Sequence, residues 1–219
     1  MPKKPKQSKK YFIHPTAVIE DDVTLGEGTK IWHLSQVRRG SKLGKNCIVG
    51  RSVFIDFESK IGDNVKIQNN AILYHETIIE DGVFIGPNVC LTNDRQPRAI
   101  NPDETLKSAD DWEVATTLIQ KGAAIGANSV ITPGITIGKW VMSGSGSVIT
   151  KDIPDHALVY GNPARIKGFV CKCGKKLQKI GENNDVVVTK CSCGEEIIIP
   201  RNIYRLKEEN KNKRRIWLR

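Results

Sequence analysis

Aliphatic residues recur along this chain at every sixth position. From Ile13 the series runs through Ile19, Leu25, Ile31, Val37, Leu43, Val49, Ile55, Ile61, Ile67, Leu73, Ile79, Ile85 and Leu91 without a polar interruption. A small or β-branched residue stands four places after each of these up to Ile85, from Ala17 and Val23 to Val83 and Val89. Glycine often follows the aliphatic position, as in LGEG, LGKN, IGDN and IGPN. The register resumes at Ile119, Ile125, Ile131 and Ile137, and continues through Ser143 to Ile149. Six residues are too few for a helical hairpin or a propeller blade. They suit one short strand and one corner, with aliphatic and small side chains pointing inward and Gly, Asn or Asp making the bend. Three such sides predict a triangular coil of about 18 residues, with coils stacked about 4.8 Å apart. The expected fold class is therefore all-β, a parallel β-helix. An ordinary β-sandwich has no need of a fixed period of six.

The same period sorts polar residues onto corners. Arg39, Phe57, His75 and Asn93 lie 18 apart and share one, with His75 one coil from Asn93. Immediately beyond, the pattern stops. Residues 92–118 lack it, and the step from Leu91 to Ile119 is not a multiple of six. A long loop thus leaves the β-helix at the corner of His75. Irregular loops of this length in compact folds tend to carry function. Histidine titrates close to neutrality, which suits a general base. The six-residue winding resembles that of the hexapeptide-repeat acyltransferases. The resemblance implies transfer of an acyl group from a thioester to an amine, which needs such a base, close approach of nitrogen and carbonyl, and donors for the oxyanion. His75 is the candidate base, with Glu76 to orient its ring. Asn93 is the candidate to position substrate or hold the oxyanion. A corner of this fold is also an ordinary place for a polar side chain, and His14, His33 and His156 flank other turns and corners.

After the β-helix, FVCKCGKKLQKIGENNDVVVTKCSCGEEIII carries the pairs Cys171/Cys173 and Cys191/Cys193, each followed by glycine. Paired thiols on glycine turns, bridged by a hairpin around GENND, resemble a zinc ribbon with tetrahedral ligation by four cysteines, although C-x-C is tighter than the usual C-x2-C. Four protein ligands would leave no open position, so the metal expected here is structural. Cys47 and Cys90 fall on strand and inward positions and read as structural thiols.

Net charge is +10, but its distribution removes most of its meaning. Residues 1–10 hold five Lys and no acid, residues 201–219 hold eight Lys/Arg against Glu208 and Glu209, and the body between is close to neutral. Segments 1–11 and 201–219 read as basic tails, the second with helical character, and as solvated extensions rather than a nucleic-acid surface. There is no signal-peptide pattern and no apolar run long enough to span a bilayer, so a soluble cytoplasmic protein without a membrane span is expected.

Residues 12–168 resemble the left-handed β-helix of the hexapeptide-repeat acyltransferases, with a four-cysteine, zinc-ribbon-like appendage at 169–200. Several segments are similar to a narrower family, the nucleotide-sugar 3-N-acetyltransferases of surface polysaccharide synthesis. They are IHPTAVI, TKIWHLSQV, VKIQNNAILY, VFIGPNVCLTNDRQPRAIN, LIQKGAAIGANSVITPGITIG and VYGNPARIKGFV. The resemblance implies a homotrimer with active sites between subunits, using acetyl-CoA and a UDP- or dTDP-linked amino sugar, with Asn93 facing the reacting amine. It also implies Lys121, Gly122, Ala127, Gly144, Arg165 and Lys167 on the CoA side. Gln68, Asn69, Tyr74 and Arg98 are candidates on the sugar side. One departure stands out. UDP-2-acetamido-3-amino-2,3-dideoxyglucuronate acetyltransferases tend to carry aspartate where His75 stands, and there the thioester sulfur can accept the proton. The YHET corner instead resembles that of the 4-amino-sugar acetyltransferases, where histidine is the base. Two other readings compete. A γ-type carbonic anhydrase would need two histidines five apart, a spacing absent from this sequence. A non-catalytic β-helix scaffold would not explain the loop at His75 and Asn93.

Overall fold

A computed structural model describes residues 10–108, 111 and 114–207; most of both basic tails lies outside the described residues. Strands of two or three residues form three parallel sheets, which are the sides of a triangular coil. The first sheet contains Phe12–Ile13, Lys30–Ile31, Ile48–Val49, Lys66–Ile67, Phe84–Ile85, Ala124–Ile125 and Met142–Ser143. The second runs from Val18–Ile19 to Val148–Ile149, and the third from Thr24–Leu25 to Thr136–Ile137. One full coil sets the register: Phe12 pairs with Lys30, Val18 with Gln36 and Thr24 with Lys42.

The six-residue period places one side chain per strand on the axis. Ile31, Val37, Val49, Ile55, Ile67, Leu73, Ile85 and Leu91 are fully buried, and stack coil on coil as a continuous core. Each such side chain taken out of water is worth about 1.5–3 kcal/mol, so it is the column rather than any one coil that holds the fold. The small positions four places later also point inward. Several of the polar ones are satisfied by carbonyls: the hydroxyls of Thr29, Ser35 and Ser41 donate to Gly44, Gly50 and Asp56 at 2.7, 2.6 and 2.8 Å. Corners turn through left-handed backbone, which is why asparagine recurs at Asn46, Asn64, Asn70, Asn88 and Asn128, each with φ of 55–60°. Corner carboxylates and amides tie adjacent coils, with Asp63 accepting from the Lys45 amide (2.6 Å) and Asn69 from that of Arg51 (2.9 Å).

Across the irregular segment the pairing offset changes from 18 to 40, as in Phe84 with Ala124 and Cys90 with Val130. The ladder thus closes behind the loop without a gap. Within the loop, Ile100 and Leu106 form an antiparallel bridge, and Arg95, Arg98, Asn101, Glu104 and Lys107 are among the residues lining a cavity of about 850 Å³.

At the far end Arg165–Phe169 turns back antiparallel on Ala157–Tyr160. A three-stranded antiparallel ribbon follows, Gln178–Glu182, Val186–Lys190 and Glu196–Pro200, then a short helix at residues 201–207. Phe169, buried, stacks on Tyr204 at 5.4 Å between ring centres and anchors that helix. Among the described residues no helix is long and apolar enough to cross a membrane. The outward rows of the sheets differ. The first displays Lys30 and Lys66 among Phe12, Ile48, Phe84, Ala124 and Met142, and the third Lys42 and Lys60 among Thr24, Ile78, Leu118 and Thr136. The second displays Val18, Phe54, Ile72, Cys90, Val130 and Val148, with Gln36 as its one polar interruption and no charge.

Candidate active site

His75 sits on the corner between Ile72–Leu73 and Thr77–Ile79, and Asn93 on the same corner one coil along. Their side chains meet: His75 Nδ1 lies 2.8 Å from the Asn93 amide nitrogen. The stack continues downward as the coil length requires. The Phe57 and His75 rings are parallel to within 15° at 4.4 Å, and the Arg39 guanidinium lies 5.9 Å from the Phe57 ring centre. His75 is only 9 % exposed, so the position is a walled recess rather than an open turn.

The neighbouring column, Glu20, Arg38, Asp56 and Tyr74, with the same spacing, supplies a carboxylate that adjacency in the sequence does not suggest. Asp56 is 5 % exposed. Its Oδ1 accepts from Arg38 and from the Phe57 amide, both at 2.9 Å. Its Oδ2 accepts from the His75 amide at 3.3 Å and lies 3.8 Å from His75 Nδ1. Arg38 also reaches Glu20 at 3.4 Å. The Arg39 amide, then the Gln36 side chain, hold the Glu20 carboxyl below the usual carboxylate range. The signal was present in the sequence as charges of alternating sign, one coil apart.

Glu76 does not take the part expected of it. Its Oε2 accepts from the Thr116 hydroxyl at 2.8 Å and its carbonyl accepts from the Thr117 amide at 3.1 Å. With φ of +60° it directs its side chain to the place where the loop returns. The carboxylate facing the imidazole is Asp56.

The other candidates are spread over the prism. Tyr74, 39 % exposed, adjoins His75 and meets Phe54 edge-on at 6.2 Å between centres. Arg98 lines the loop cavity and donates to its neighbour's carbonyl, that of Pro97, at 3.1 Å. Gln68 and Asn69 follow Lys66–Ile67, on the corner between the first and second sheets, so within one chain they do not meet His75. Ala127 and Gly144 occupy that same corner higher up, while Lys121 and Gly122 lie between the third and first sheets. Two of these glycines have packing reasons for their identity. A Cβ on Gly122, at φ of +71°, would fall 2.3 Å from the Trp140 ring, and one on Gly144 would fall 2.9 Å from Tyr160 Cβ. Arg165 and Lys167 stand on the antiparallel strand Arg165–Phe169, with Lys167 Nζ 5.7 Å from the Tyr160 ring centre.

The four C-terminal cysteines do converge. All four Sγ atoms lie within 4.8 Å of one another, with cross-pairs Cys171–Cys193 at 3.7 Å and Cys173–Cys191 at 3.5 Å. A tetrahedron of thiolates about 2.3 Å from zinc has edges of about 3.8 Å. Each pair sits on a matching turn: the Gly174 and Gly194 amides donate to the Cys171 and Cys191 carbonyls at 2.8 and 2.9 Å, with both glycines at positive φ. The donor set and spacing fit a closed zinc site with four cysteine ligands.

Comparison with known proteins gives the same outline. Residues 58–93 match the bacterial transferase hexapeptide family (six repeats), and residues 117–151 the hexapeptide repeat of succinyl-transferase. The dTDP-3-amino-3,6-dideoxy-α-D-galactopyranose 3-N-acetyltransferase of Aneurinibacillus thermoaerophilus is 43% identical over 187 residues, covering 85% of this chain and 90% of that protein. A galactoside O-acetyltransferase of Lactococcus lactis is 31% identical over 132 residues, 58% of this chain and 62% of that one. Among solved structures, the GDP-perosamine N-acetyl transferase from Caulobacter crescentus aligns with a TM-score of 0.48 at 24% identity, over 73% of this chain and 58% of that one. With the six-residue winding throughout and the first of these likenesses spanning nearly the whole body, the chain belongs to the hexapeptide-repeat nucleotide-sugar N-acetyltransferases, and is an acyltransferase.

Proposed function

We propose that this enzyme moves the acetyl group of acetyl-CoA onto the 3-amino group of a dTDP-linked 3-amino-3,6-dideoxyhexose destined for a surface polysaccharide. The substrate class follows the 43% identical relative. The observation that carries the chemistry is the 2.8 Å contact between His75 and Asn93 at the corner from which the loop departs. The sugar ammonium first gives one proton to solvent. Its nitrogen then attacks the thioester carbonyl, forming the C–N bond. The second proton passes to His75, the C–S bond breaks, and the imidazolium returns the proton to the departing thiolate. The Asn93 amide supplies a donor for the oxyanion of the tetrahedral intermediate. His75 thus takes the role that the sulfur can fill where aspartate occupies this corner. Arg98, on the loop cavity, meets the diphosphate, since a 6-deoxy sugar offers no carboxylate.

The functional unit in this reading is a homotrimer. Three prisms that turn their apolar second sheets toward a common axis bring the two edges of that sheet together between neighbours. One edge carries His75 and Asn93. The other, from the next chain, carries Gln68, Asn69, Ala127 and Gly144, which explains why candidate residues fall on separate corners of one chain. Acetyl-CoA lies along the upper coils, its pantetheine against small residues and its phosphates toward Lys121, Arg165 and Lys167. Zinc at Cys171, Cys173, Cys191 and Cys193 stabilises the ribbon and takes no part in the reaction. A cytoplasmic location fits both substrates and the free cysteines.

The test is a panel of dTDP- and UDP-linked amino sugars incubated with acetyl-CoA, read by release of free thiol. The dTDP-linked 3-amino-3,6-dideoxyhexose is expected to give the highest kcat/KM. Thiol release that no amino sugar accelerates would return the chain to a scaffold.

A further inference from the structure

Asp56 is a buried carboxylate that the proposed reaction leaves unused, and its surroundings are more demanding than a backbone cap requires. Glu20 offers the plain comparison. It lies on the same column and accepts from the amide of Arg39, just as Asp56 accepts from the amide of His75. Glu20, however, is half-buried and faces the side chains of Gln36 and Arg38. Asp56 has both oxygens engaged, with Oδ2 3.8 Å from His75 Nδ1. Arg38, at 2.9 Å, keeps a cation on the side away from the ring.

A neutral histidine carries one proton, on Nδ1 or on Nε2, and this choice decides which nitrogen can act as base. The Asn93 carboxamide touching Nδ1 is compatible with either, because a half-turn exchanges its NH2 for its carbonyl. The carboxylate is not so accommodating: at 3.8 Å from Nδ1, beyond hydrogen-bond length, its charge still favours a proton on the nitrogen that faces it. We propose that Asp56 is the positioning residue of this active site: together with Arg38 it fixes the His75 tautomer with the proton on Nδ1, leaving the lone pair on Nε2. Two consequences follow from the same geometry. The Asn93 carbonyl faces Nδ1, which turns its NH2 away from the ring as an oxyanion donor. The carboxylate also stabilises the imidazolium that forms when Nε2 takes the amine proton. The catalytic part of this inference rests on His75 being the base; the tautomer does not.

The experiment therefore reads the proton directly. The full-length enzyme labelled with 15N-histidine is recorded in its neutral-imidazole range, with His75→Gln used to assign the signal among the four histidines. His75 is expected to show a protonated Nδ1 and an unprotonated Nε2. In Asp56→Asn the major form shifts to the Nε2-protonated tautomer. The same change lowers kcat about 10²-fold, within the span of general-base catalysis, with KM altered less than about threefold. Glu20→Gln, which weakens the equivalent backbone cap on the same corner two coils away, leaves tautomer and kcat unchanged. A wild-type His75 protonated on Nε2 overturns the proposal even if Asp56→Asn fails to fold. So does an Asp56→Asn enzyme indistinguishable from Glu20→Gln in both readouts. Full activity of His75→Ala would instead retire the base assignment, with the tautomer still decided by the spectrum.

Discussion

At the scale of single residues, the two side chains at the loop corner make separable demands. In the proposed reaction His75→Ala removes the proton acceptor and is expected to lower kcat by about 10² or more, and Asn93→Ala, by removing the proposed oxyanion donor, should cost a similar factor. Steady-state rates with the preferred sugar check both. Both variants should remain folded, because neither side chain belongs to the inward column, with His75→Ala losing the stacking on Phe57. The pairing of His75 with Asn93 was legible in the sequence, since the length of the coil decides which corner each occupies. The partner of the imidazole was not. Adjacency drew attention to Glu76, but a corner residue at φ of +60° projects differently from the one before it, and its carboxylate reaches Thr116. Asp56 and His75 are separated by a full coil and one step more, so no single column contained both.

Elements differ in how much of their energy comes from repetition. The short β-helix strands would be meaningless alone. Each is specified because the same pattern recurs above and below it, and this is why the period revealed them. The terminal ribbon has no such neighbours: its strands bury Val187, Thr189, Ile197 and Ile199 and leave Ile180 and Ile198 exposed. So thin a module needs a staple, and structural zinc in small peptides contributes on the order of 10 kcal/mol. Elemental analysis should find one zinc per chain. Cys193→Ser should lose it and open the ribbon to proteolysis near residues 171–200, while the far-ultraviolet signal of the β-helix persists. The cysteine spacing was readable, and so was the hairpin around GENND; the bridge Ile100–Leu106 inside the loop carried no periodic signal and was not.

For the whole molecule the decisive asymmetry is between sheets. Lysines interrupt the outward rows of the first and third, whereas that of the second sheet, Gln36 apart, is apolar from Val18 to Val148. Ile72, 37 % exposed on that face, contributes nothing to the inner core, so Ile72→Glu should leave the chain folded. In the proposed assembly it would place like charges around a threefold axis. Size-exclusion chromatography with light scattering should then report a monomer, and acetyl transfer should fall to background because in that assembly each site would be completed by the next chain. A folded, trimeric and active Ile72→Glu enzyme would mean that another face forms the contact.

The uninterrupted ladder behind the loop has a longer consequence. Leu91 pairs with Ile131 as though the intervening residues were missing. The winding therefore registers nothing of what hangs from that edge, neither its length nor its composition. Such a scaffold separates what must stay still from what must change: a lineage could refit its pocket for a new sugar by rewriting a short stretch, and every coil above and below would keep its place.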